Sequence, residues 1–393
     1  RSDYTVVTAD DTTWGDDGND GWYVASGMVT ISDRVTVSGD VRLILENNAI
    51  LTINGGIELQ DNDQDPTNGS ANKLTVYAQS TDTYGNRGVL VADATNCERA
   101  AGIGASDNSF PGGEVNIYGG RIIARGGKAI DENTGGGAGI GGGSAPSRSS
   151  AGGAVVIYGG EVEAVGGQGY AVVFPRPSGD SIGAGGNQEP TSGTLTVYGG
   201  VLRDLSNDSG GGSIVLNGGI LENIHIGNDQ STTVNGEVKI LGNATFNGTV
   251  TIDGNDSSFS GITVFDKAVN INGNSTGFSD KATFWDTVTI DGKGSSFTGT
   301  TDFYKAVDIN GDSTGFSDKA TFWDTVTIDG NDSSFTGTTV FDKAVNINGD
   351  STGFSDATFK DTVTIDGKDS SFTGTTFFDK AVDINGDSTG FSD

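Results

Sequence analysis

Apolar and polar residues alternate in short stretches that recur every 19 residues from about residue 246 onwards. Each repeat contains a stretch such as TVTIDG or AVNING, in which every second side chain is apolar, and this period of two predicts a β-strand. One isoleucine keeps the same place in every repeat. These isoleucines are Ile252, Ile271, Ile290, Ile309, Ile328, Ile347, Ile365 and Ile384. The pattern predicts one short strand at the same position of each repeat.

Two series of phenylalanines follow the same step and predict two further apolar columns. The first series is Phe246, Phe265, Phe284, Phe303, Phe322, Phe341, Phe359 and Phe378. The second series is Phe259, Phe278, Phe297, Phe316, Phe335, Phe354, Phe372 and Phe391. Short strands, corners of Gly, Asn and Asp, and a short repeat are typical of a parallel β-helix, whose rungs stack about 4.8 Å apart. We therefore predict an all-β fold, a single-stranded parallel β-helix with rungs of about 19–20 residues.

Neighbouring repeats are not identical. They alternate as NINGDSTGFSD and TIDGKGSSFTG, so that the full unit spans two repeats. The step from Ile347 to Ile365 is one residue shorter than the other steps, because the lysine found at positions 281 and 319 is missing before Ala357. Two residues before each strand valine, lysine and aspartate alternate, which predicts a stacked column of alternating charge. Its members are Lys267, Asp286, Lys305, Asp324, Lys343, Asp361 and Lys380.

The first part of the chain follows a looser plan with a spacing of 40 residues, which we interpret as two rungs of about 20. Its units are GGEVNIYGG (112–120), GGAVVIYGG (152–160) and SGTLTVYGG (192–200), with Gly-rich loops between them. We predict one continuous solenoid, with an irregular region over residues 1–240 and a regular region of 19-residue rungs over 241–393. Because the last rung breaks off at GFSD without a cap, we expect the natural protein to continue with further repeats and to begin before Arg1.

Several motifs of the N-terminal half also occur together elsewhere. WYVASGMVTISDRVTVSGDVRLILENNAILTINGGIEL at 22–59, LTVYAQS at 74–80 and the AGIG and IYGG units resemble those of modular bacterial cell-surface proteins. Proteins of that group are described as carbohydrate-binding-domain-containing or adhesin-like β-helix proteins. The resemblance covers roughly residues 20–200 and consists of structural motifs. It implies a right-handed β-helix, an extracellular location at the bacterial cell surface, and binding of a glycan or of a host or neighbouring-cell surface.

Composition excludes several other classes. The 65 glycines show no G-X-Y period and accompany only 6 prolines, which excludes collagen. The net charge of -30 would repel phosphate, so we expect no nucleic-acid partner. We find no apolar run of about 18 residues, so we predict no transmembrane segment in this chain. A hydrophobic content of 34% together with high charge is typical of disorder, but the repeats indicate a narrow coil that needs few inward side chains.

A polysaccharide lyase or hydrolase is the enzymatic alternative on a β-helix of this kind. Such hydrolases work with a pair of carboxylates around the scissile bond. The single histidine, His225, stands in ENIHIGN, and the basic group Arg121, Arg125 and Lys128 lies beside acidic residues in a Gly-rich stretch. We expect these residues to be structural or exposed, and we predict no catalytic residue. A lyase or hydrolase, and a purely structural spacer, are kept as alternatives.

Acidic clusters in two loops are candidate calcium sites, because Ca²⁺ takes several carboxylate oxygens. The six candidate ligands are Asp16, Asp17, Asp20, Asp61, Asp63 and Asp65. The sequence contains neither an EF-hand loop nor the nonapeptide calcium repeat, so we expect no required cofactor and keep Ca²⁺ as the one candidate ion. The alternative is that these charges keep the surface soluble and prevent association of strand edges.

The residue that follows each phenylalanine of the first series should point outward, because neighbours on a strand alternate faces. On three successive rungs this residue is Trp285, Tyr304 or Trp323, which predicts an exposed aromatic stripe about 10 Å long. Exposed rings stack on sugars or anchor protein partners, so we predict these three as ligand-binding residues of an adhesin that also acts as a rigid shaft. The alternative is that the rings shield a sheet face. Residues expected to cover the N-terminal end of the core are Trp14, Trp22 and Tyr23.

Overall fold

A computed structural model describes most of the chain. The described residues are 4–15, 21–59, 72–80, 85–106, 112–131, 134–144, 152–170, 178–186, 193–208, 212–227 and 230–392. All regular structure in these ranges is β-strand, and each strand pairs in parallel with the equivalent strand of the next turn. Nowhere in them is there a helix with the length and apolar character needed to cross a membrane. The predicted all-β parallel β-helix is confirmed as a β-solenoid.

The chain divides into two compact units. Unit 1 comprises residues 1–215 and 219–230, and unit 2 comprises residues 216–218 and 231–393. In unit 1, the five turns between Gly21 and Gly183 each contribute one strand to each of three sheets. The strands of the first sheet are Thr5–Val6, Gly21–Ala25, Asp40–Leu45, Lys73–Ala78, Glu114–Ile117, Ala154–Ile157, Thr194–Val197 and Ser213–Leu216. Those of the second are Met28–Ile31, Ile50–Ile53, Val89–Asp93, Arg121–Arg125, Glu161–Val165, Val201–Asn207 and Gly219–Ile226.

The third sheet of unit 1 is built from very short strands. They are Thr13–Trp14, Val35–Val37, Ile57–Glu58, Ile103–Gly104, Ile140–Gly141 and Ile182–Gly183. Gly104 has a φ of +136°, and a Cβ placed on it would lie 2.0 Å from the carbonyl oxygen of Gly141 on the next turn. The AGIG repeats are therefore one stacked column in which neighbouring backbones leave no room for a side chain.

Turn length in unit 1 is not constant. Gly21 pairs with Val41 on the next turn, whereas Val115 pairs directly with Val155, so the second of these turns contains twice as much chain as the first. The interpretation of the 40-residue spacing as two rungs is therefore wrong, because each IYGG unit is a single turn with long loops. Hydrogen bonds between turns fix the register of the strands only, so the loops between them vary in length freely.

Unit 2 repeats one turn of about 19 residues. A strand of three residues, such as Val288–Ile290, forms its first side, and a Gly corner follows at Gly292. Strands of this side are Thr232–Val234, Val250–Ile252, Val269–Ile271, Val288–Ile290, Val307–Ile309, Val326–Ile328, Val345–Ile347, Val363–Ile365 and Val382–Ile384. The other sides contain Val238–Phe246, Ser258–Phe259, Thr263–Phe265, Gly277–Phe278, Ala282–Phe284, Ser296–Phe297, Thr301–Phe303, Gly315–Phe316, Ala320–Phe322, Ser334–Phe341, Gly353–Phe359, Ser371–Thr373, Thr376–Phe378 and Gly390–Ser392.

The two phenylalanine series form the core of unit 2. Rings of one series stack on each other, as Phe278 does on Phe297 at 5.0 Å and 6°. Rings of the two series meet edge to face, as Phe284 does with Phe297 at 6.3 Å and 72°. Both arrangements are favourable for aromatic rings beyond the burial of their area. The predicted inward columns are thus confirmed, and their members are buried up to the last turns, where Ile384 and Phe391 are exposed.

The one-residue deletion in the shorter step changes the strand register at one place only. Phe335 pairs with Phe354 at the ordinary step of the array, but Thr338 pairs with Asp356 at a step that is one residue shorter, so the register shifts between these two points. Phe341 and Phe359 then pair in the new register, and the phenylalanine column continues without a gap.

One corner of unit 2 explains why its rungs alternate. Asn272 donates its side-chain amide to the Asp253 carboxylate at 2.7 Å, and Asn310 does the same to Asp291 at 2.7 Å. The pattern recurs between Asn348 and Asp329 at 2.6 Å. Alternation places an amide beside every carboxylate, so no two carboxylates meet at the spacing of one rung. Within the predicted column of alternating Lys and Asp, the ammonium of Lys380 pairs with the Asp361 carboxylate at 2.9 Å.

Candidate functional site

The predicted stripe of three aromatic residues is a stacked column in the structure. The rings of Trp285 and Tyr304 lie 4.0 Å apart at 14°, and those of Tyr304 and Trp323 lie 6.0 Å apart at 9°. Both tryptophans point outward, with 48% of Trp285 and 44% of Trp323 exposed. We call these three residues the Trp285 column.

Stacking determines which parts of the Trp285 column a ligand can reach. Tyr304 lies between two indoles, so both of its faces are turned towards other rings. Ring edges remain open along the column, and the open faces are the outer faces of Trp285 and Trp323. A flat ligand that needs a ring face therefore binds at an end of the column, whereas an elongated ligand can lie along the edges.

Carboxylates follow both ends of the Trp285 column on the adjacent rungs. Beyond Trp323 comes Asp342, whose Oδ1 lies 2.6 Å from the ammonium of Lys360 on the next rung. Beyond Trp285 comes Asp266, which is exposed, and no described basic residue forms an ion pair with it. The two ends therefore differ, because one carboxylate is neutralised and the other is not.

A second and longer aromatic column lies on unit 1, and sequence reasoning missed it. Trp22, Tyr77, Tyr118, Tyr158 and Tyr198 stack in this order at 5.7, 5.0, 4.3 and 5.1 Å. We call it the tyrosine column. Its last three members are 42%, 41% and 52% exposed. The signal in the sequence was the tyrosine of each IYGG or VYGG unit, which directly follows the last inward residue of a strand and so turns outward.

Charged groups flank the tyrosine column. The guanidinium of Arg42 lies 5.5 Å from the centre of the Trp22 ring and pairs with Asp40 at 2.5 Å. The placement of Trp22 as a cover of the core is thus wrong, whereas Trp14 is fully buried, 5.6 Å from Tyr23.

Hydrogen bonds next to and within the tyrosine column shift two pKa values. Burial by itself would raise the pKa of Glu114, but hydrogen bonds from Lys73, at 2.7 Å, and from Asn116 hold this pKa below its ordinary value. A hydrogen bond with the Tyr118 hydroxyl raises the pKa of Tyr158. The Tyr158 phenol therefore remains neutral at physiological pH and can both donate and accept a hydrogen bond.

Comparison of the chain with protein-family models, with curated proteins and with solved structures finds no match in any of the three. Function is therefore inferred from the surface chemistry of the chain itself. Each aromatic column is a candidate site on its own unit, because it presents exposed rings that are ordered along successive turns.

A cluster of ionic residues on the second sheet of unit 1 is saturated with internal pairs. The nearly buried Glu161 pairs with Arg87, with Arg121 Nε at 3.4 Å and with Arg203 Nε at 3.3 Å. Arg121 also reaches Glu163 at 3.2 Å, and Arg203 also pairs with Glu222. Three arginines and three glutamates thus balance in charge and join successive turns. Such a network braces the fold and leaves no carboxylate available as a general acid or base.

The remaining sequence candidates are not brought together as a site. His225 Nε2 lies 3.0 Å from Asp208 Oδ1, and both side chains are about half exposed. Arg125 pairs with Asp93 at 3.4 Å, and Lys128 is exposed. All six candidate calcium ligands (Asp16, Asp17, Asp20, Asp61, Asp63 and Asp65) lie outside the described residues. In the part of the chain that the structure describes, no group of three or more His, Cys, Asp or Glu side chains is arranged to hold a metal ion.

Proposed function

We propose that this chain is a non-catalytic binding module of an extracellular bacterial surface protein, an adhesin-like β-solenoid. In this proposal the two aromatic columns contact a glycan or the surface of a host or neighbouring cell. The observation that carries it is the outward exposure of stacked rings, from Trp22 to Tyr198 and from Trp285 to Trp323.

Exposure of so many rings in ordered rows favours binding over shielding. A ring that served only to cover a sheet face would lie flat on that face and lose most of its exposure, whereas Tyr198 keeps 52% and Trp285 keeps 48%. Aromatic rings are large, rigid and amphipathic, so a partner gains much contact area at low entropic cost. The rows follow the solenoid axis, which suits an extended ligand such as a polysaccharide chain.

Charge supports a non-catalytic role within unit 1. Hydrolysis of a glycosidic bond needs two carboxyl groups in different protonation states facing the substrate. Glu114, next to the tyrosine column, is instead paired with Lys73, and Glu161, on the second sheet, is paired with arginines. Both carboxylates are held in ion pairs with basic side chains, so we infer that unit 1 binds without cleaving.

A glycan array tests the proposal. We expect the wild-type chain to bind at least one glycan or intact cell surface, and the double variant Tyr118→Ala/Tyr158→Ala to lose most of that binding. Phe377→Ala is the matched control, because Phe377 is an aromatic residue that is 58% exposed and lies outside both columns. Equal binding by the column variant and the control, or no binding by the wild type, would refute the proposal.

A spacer is the second candidate, favoured by the regularity of unit 2. Its turns repeat the same inward columns and the same corner, which suits a rod that projects another domain. A chain that binds no glycan and no cell but resists unfolding under force supports the spacer. Release of reducing or unsaturated sugar from acidic polysaccharides would instead favour the lyase or hydrolase.

A further inference from the structure

Tryptophan ends both aromatic columns, and near two of these tryptophans the chain places its own basic side chain. At Trp22, the Arg42 guanidinium lies 5.5 Å from the ring centre and is paired with Asp40 at 2.5 Å. Arg42 lies on the turn between Trp22 and Tyr77, so this part of the column combines an indole, a cation and a carboxylate. A cation held near an indole face and a carboxylate is attracted by both.

The Trp323 end of the other column carries a similar set of groups. Asp342 follows Trp323 on the next rung, and Lys360 follows Asp342 on the rung after that. The Lys360 ammonium lies 2.6 Å from Asp342 Oδ1, so the carboxylate beside this indole is neutralised by a lysine of the same chain.

The Trp285 end has the indole and the carboxylate but no cation from the chain. Trp285 donates its backbone N–H to the carbonyl of Phe265 at 2.9 Å, which places Asp266 on the adjacent rung, about 4.8 Å away along the axis. One face of Trp285 is covered by Tyr304, so its exposed area lies on the Asp266 side and along its edge. No ion pair joins Asp266 to a basic residue of the described chain.

We propose that the Trp285 end binds a lysine or arginine side chain of a partner polypeptide, held between the indole face and the Asp266 carboxylate. The partner supplies a cation in place of the one that Arg42 supplies beside Trp22 and that Lys360 supplies beside Asp342. The proposal rests on the Trp285 column being a binding surface, as proposed above, and it adds the chemistry of one ligand group.

The charge of the surrounding surface fits a basic partner. Residues 231–393 contain 24 acidic side chains against 10 lysines, and no arginine. Such an excess of negative charge steers a basic segment towards this surface and raises its association rate. The net charge does not determine where on this surface a basic side chain binds. An open indole face beside an unpaired carboxylate does determine such a position.

Titration of the whole chain with capped hexalysine at low salt tests the proposal. Asp266→Asn removes the carboxylate and keeps its shape, and we expect it to weaken binding about threefold to tenfold. Trp285→Leu should weaken binding by a similar factor. Asp308→Asn is the matched control, since it removes the same charge from an exposed position between Thr289 and Thr327, away from any ring.

The Asp308→Asn control distinguishes binding at the Trp285 end from general electrostatic attraction of hexalysine to the acidic surface. If Asp266→Asn and Asp308→Asn weaken hexalysine binding equally, the attraction is that of net charge and the proposal is wrong. Absence of hexalysine binding to the wild type at low salt would also overturn it. Binding of glycans or cells through Tyr118 and Tyr158 is measured separately, so that result can fail or succeed without deciding this one.

Discussion

Lys293 Nζ lies 2.8 Å from Asp312 Oδ2 on the following rung, and the backbone N–H of Asn331 donates to the same carboxylate at 3.0 Å. The hydrogen bond from Lys293 is the main cause that holds the pKa of Asp312 below its ordinary value, and the N–H of Asn331 adds to it. A carboxyl group whose pKa is lower in the folded state stabilises the fold above its unfolded pKa of about 3.9. This stabilisation disappears as the pH falls through the folded-state pKa.

Replacement of the lysine should therefore move that pKa upward. We expect Lys293→Met to raise the pKa of Asp312 in the folded state. The acidic pH range over which the contribution of Asp312 to folding stability is lost should then become narrower. Carboxyl carbon NMR titration measures the change. Lys368→Met, at the equivalent place farther along the array, should leave the pKa of Asp312 unchanged. An identical pKa in wild type and Lys293→Met would contradict the assignment.

The amide of Asn310 separates two carboxylates, Asp291 and Asp329, at one corner. Asn310→Asp removes the amide donor and brings three carboxylates together, so we expect a loss of about 1 kcal/mol in the free energy of unfolding at neutral pH. The loss should shrink below about pH 4, because protonation removes the repulsion. Urea unfolding at both pH values measures it. Asn346→Asp, whose neighbours in register are Thr327 and Thr364, should cost much less.

The glycine column of unit 1 has no space for a methyl group. Gly104→Ala would place a Cβ 2.0 Å from the carbonyl of Gly141 at a φ of +136°, and we expect a loss of at least about 3 kcal/mol or failure to fold. Gly277→Ala is the control, because no atom beyond its own chain neighbours lies within 4 Å of the Cβ position there. Thermal unfolding of the two variants should differ widely, and equal melting temperatures would show that the column is not packed as described.

Adjacent residues Phe303 and Tyr304 face opposite directions. Phe303 is fully buried between stacked rings, so Phe303→Ala should cost about 3–5 kcal/mol of stability. Tyr304→Ala removes only a partly exposed ring and should cost about 1 kcal/mol or less. Chemical unfolding of the pair tests the inward and outward assignment. A larger effect at Tyr304 than at Phe303 would reverse it.

Removal of Lys360 should open a second cation site. Lys360→Ala frees the Asp342 carboxylate, which follows Trp323. If an indole beside an unpaired carboxylate is what binds a basic side chain, calorimetry should show the number of hexalysine sites rising from one to two per chain. An unchanged number would mean that Lys360 and Asp342 are merely a surface ion pair and that the resemblance between the two ends is superficial.

The periodicity of the sequence was sufficient to predict the inward columns of unit 2 and the outward position of Trp285. Strand alternation fixes the direction of each side chain, and one rung per repeat fixes its neighbour, so both follow from spacing alone. The shorter step before Ala357 was also readable, because a deletion inside a loop leaves the flanking strands in place.

The spacing of the repeats was not sufficient to predict the turn length in unit 1 or the stacking of the tyrosine column. A 40-residue spacing fits two short turns as well as one long turn, since loops do not contribute to register. With one turn per 40 residues, Tyr118 stacks directly on Tyr158, and this contact joins the separate tyrosines into one surface. Asp266 was placed correctly in its column, but its lack of an ion pair depends on where lysine ammonium groups lie, which spacing does not give.

The alternation of Asn and Asp at this corner of unit 2 restricts how the number of repeats can change. Excision or duplication of one 19-residue repeat would bring two rungs of the same kind together, so that Asp253 would meet another aspartate instead of Asn272. Excision or duplication of two repeats preserves every such neighbour. The length of this array is therefore free to change during evolution, or in an engineered protein, only in even steps.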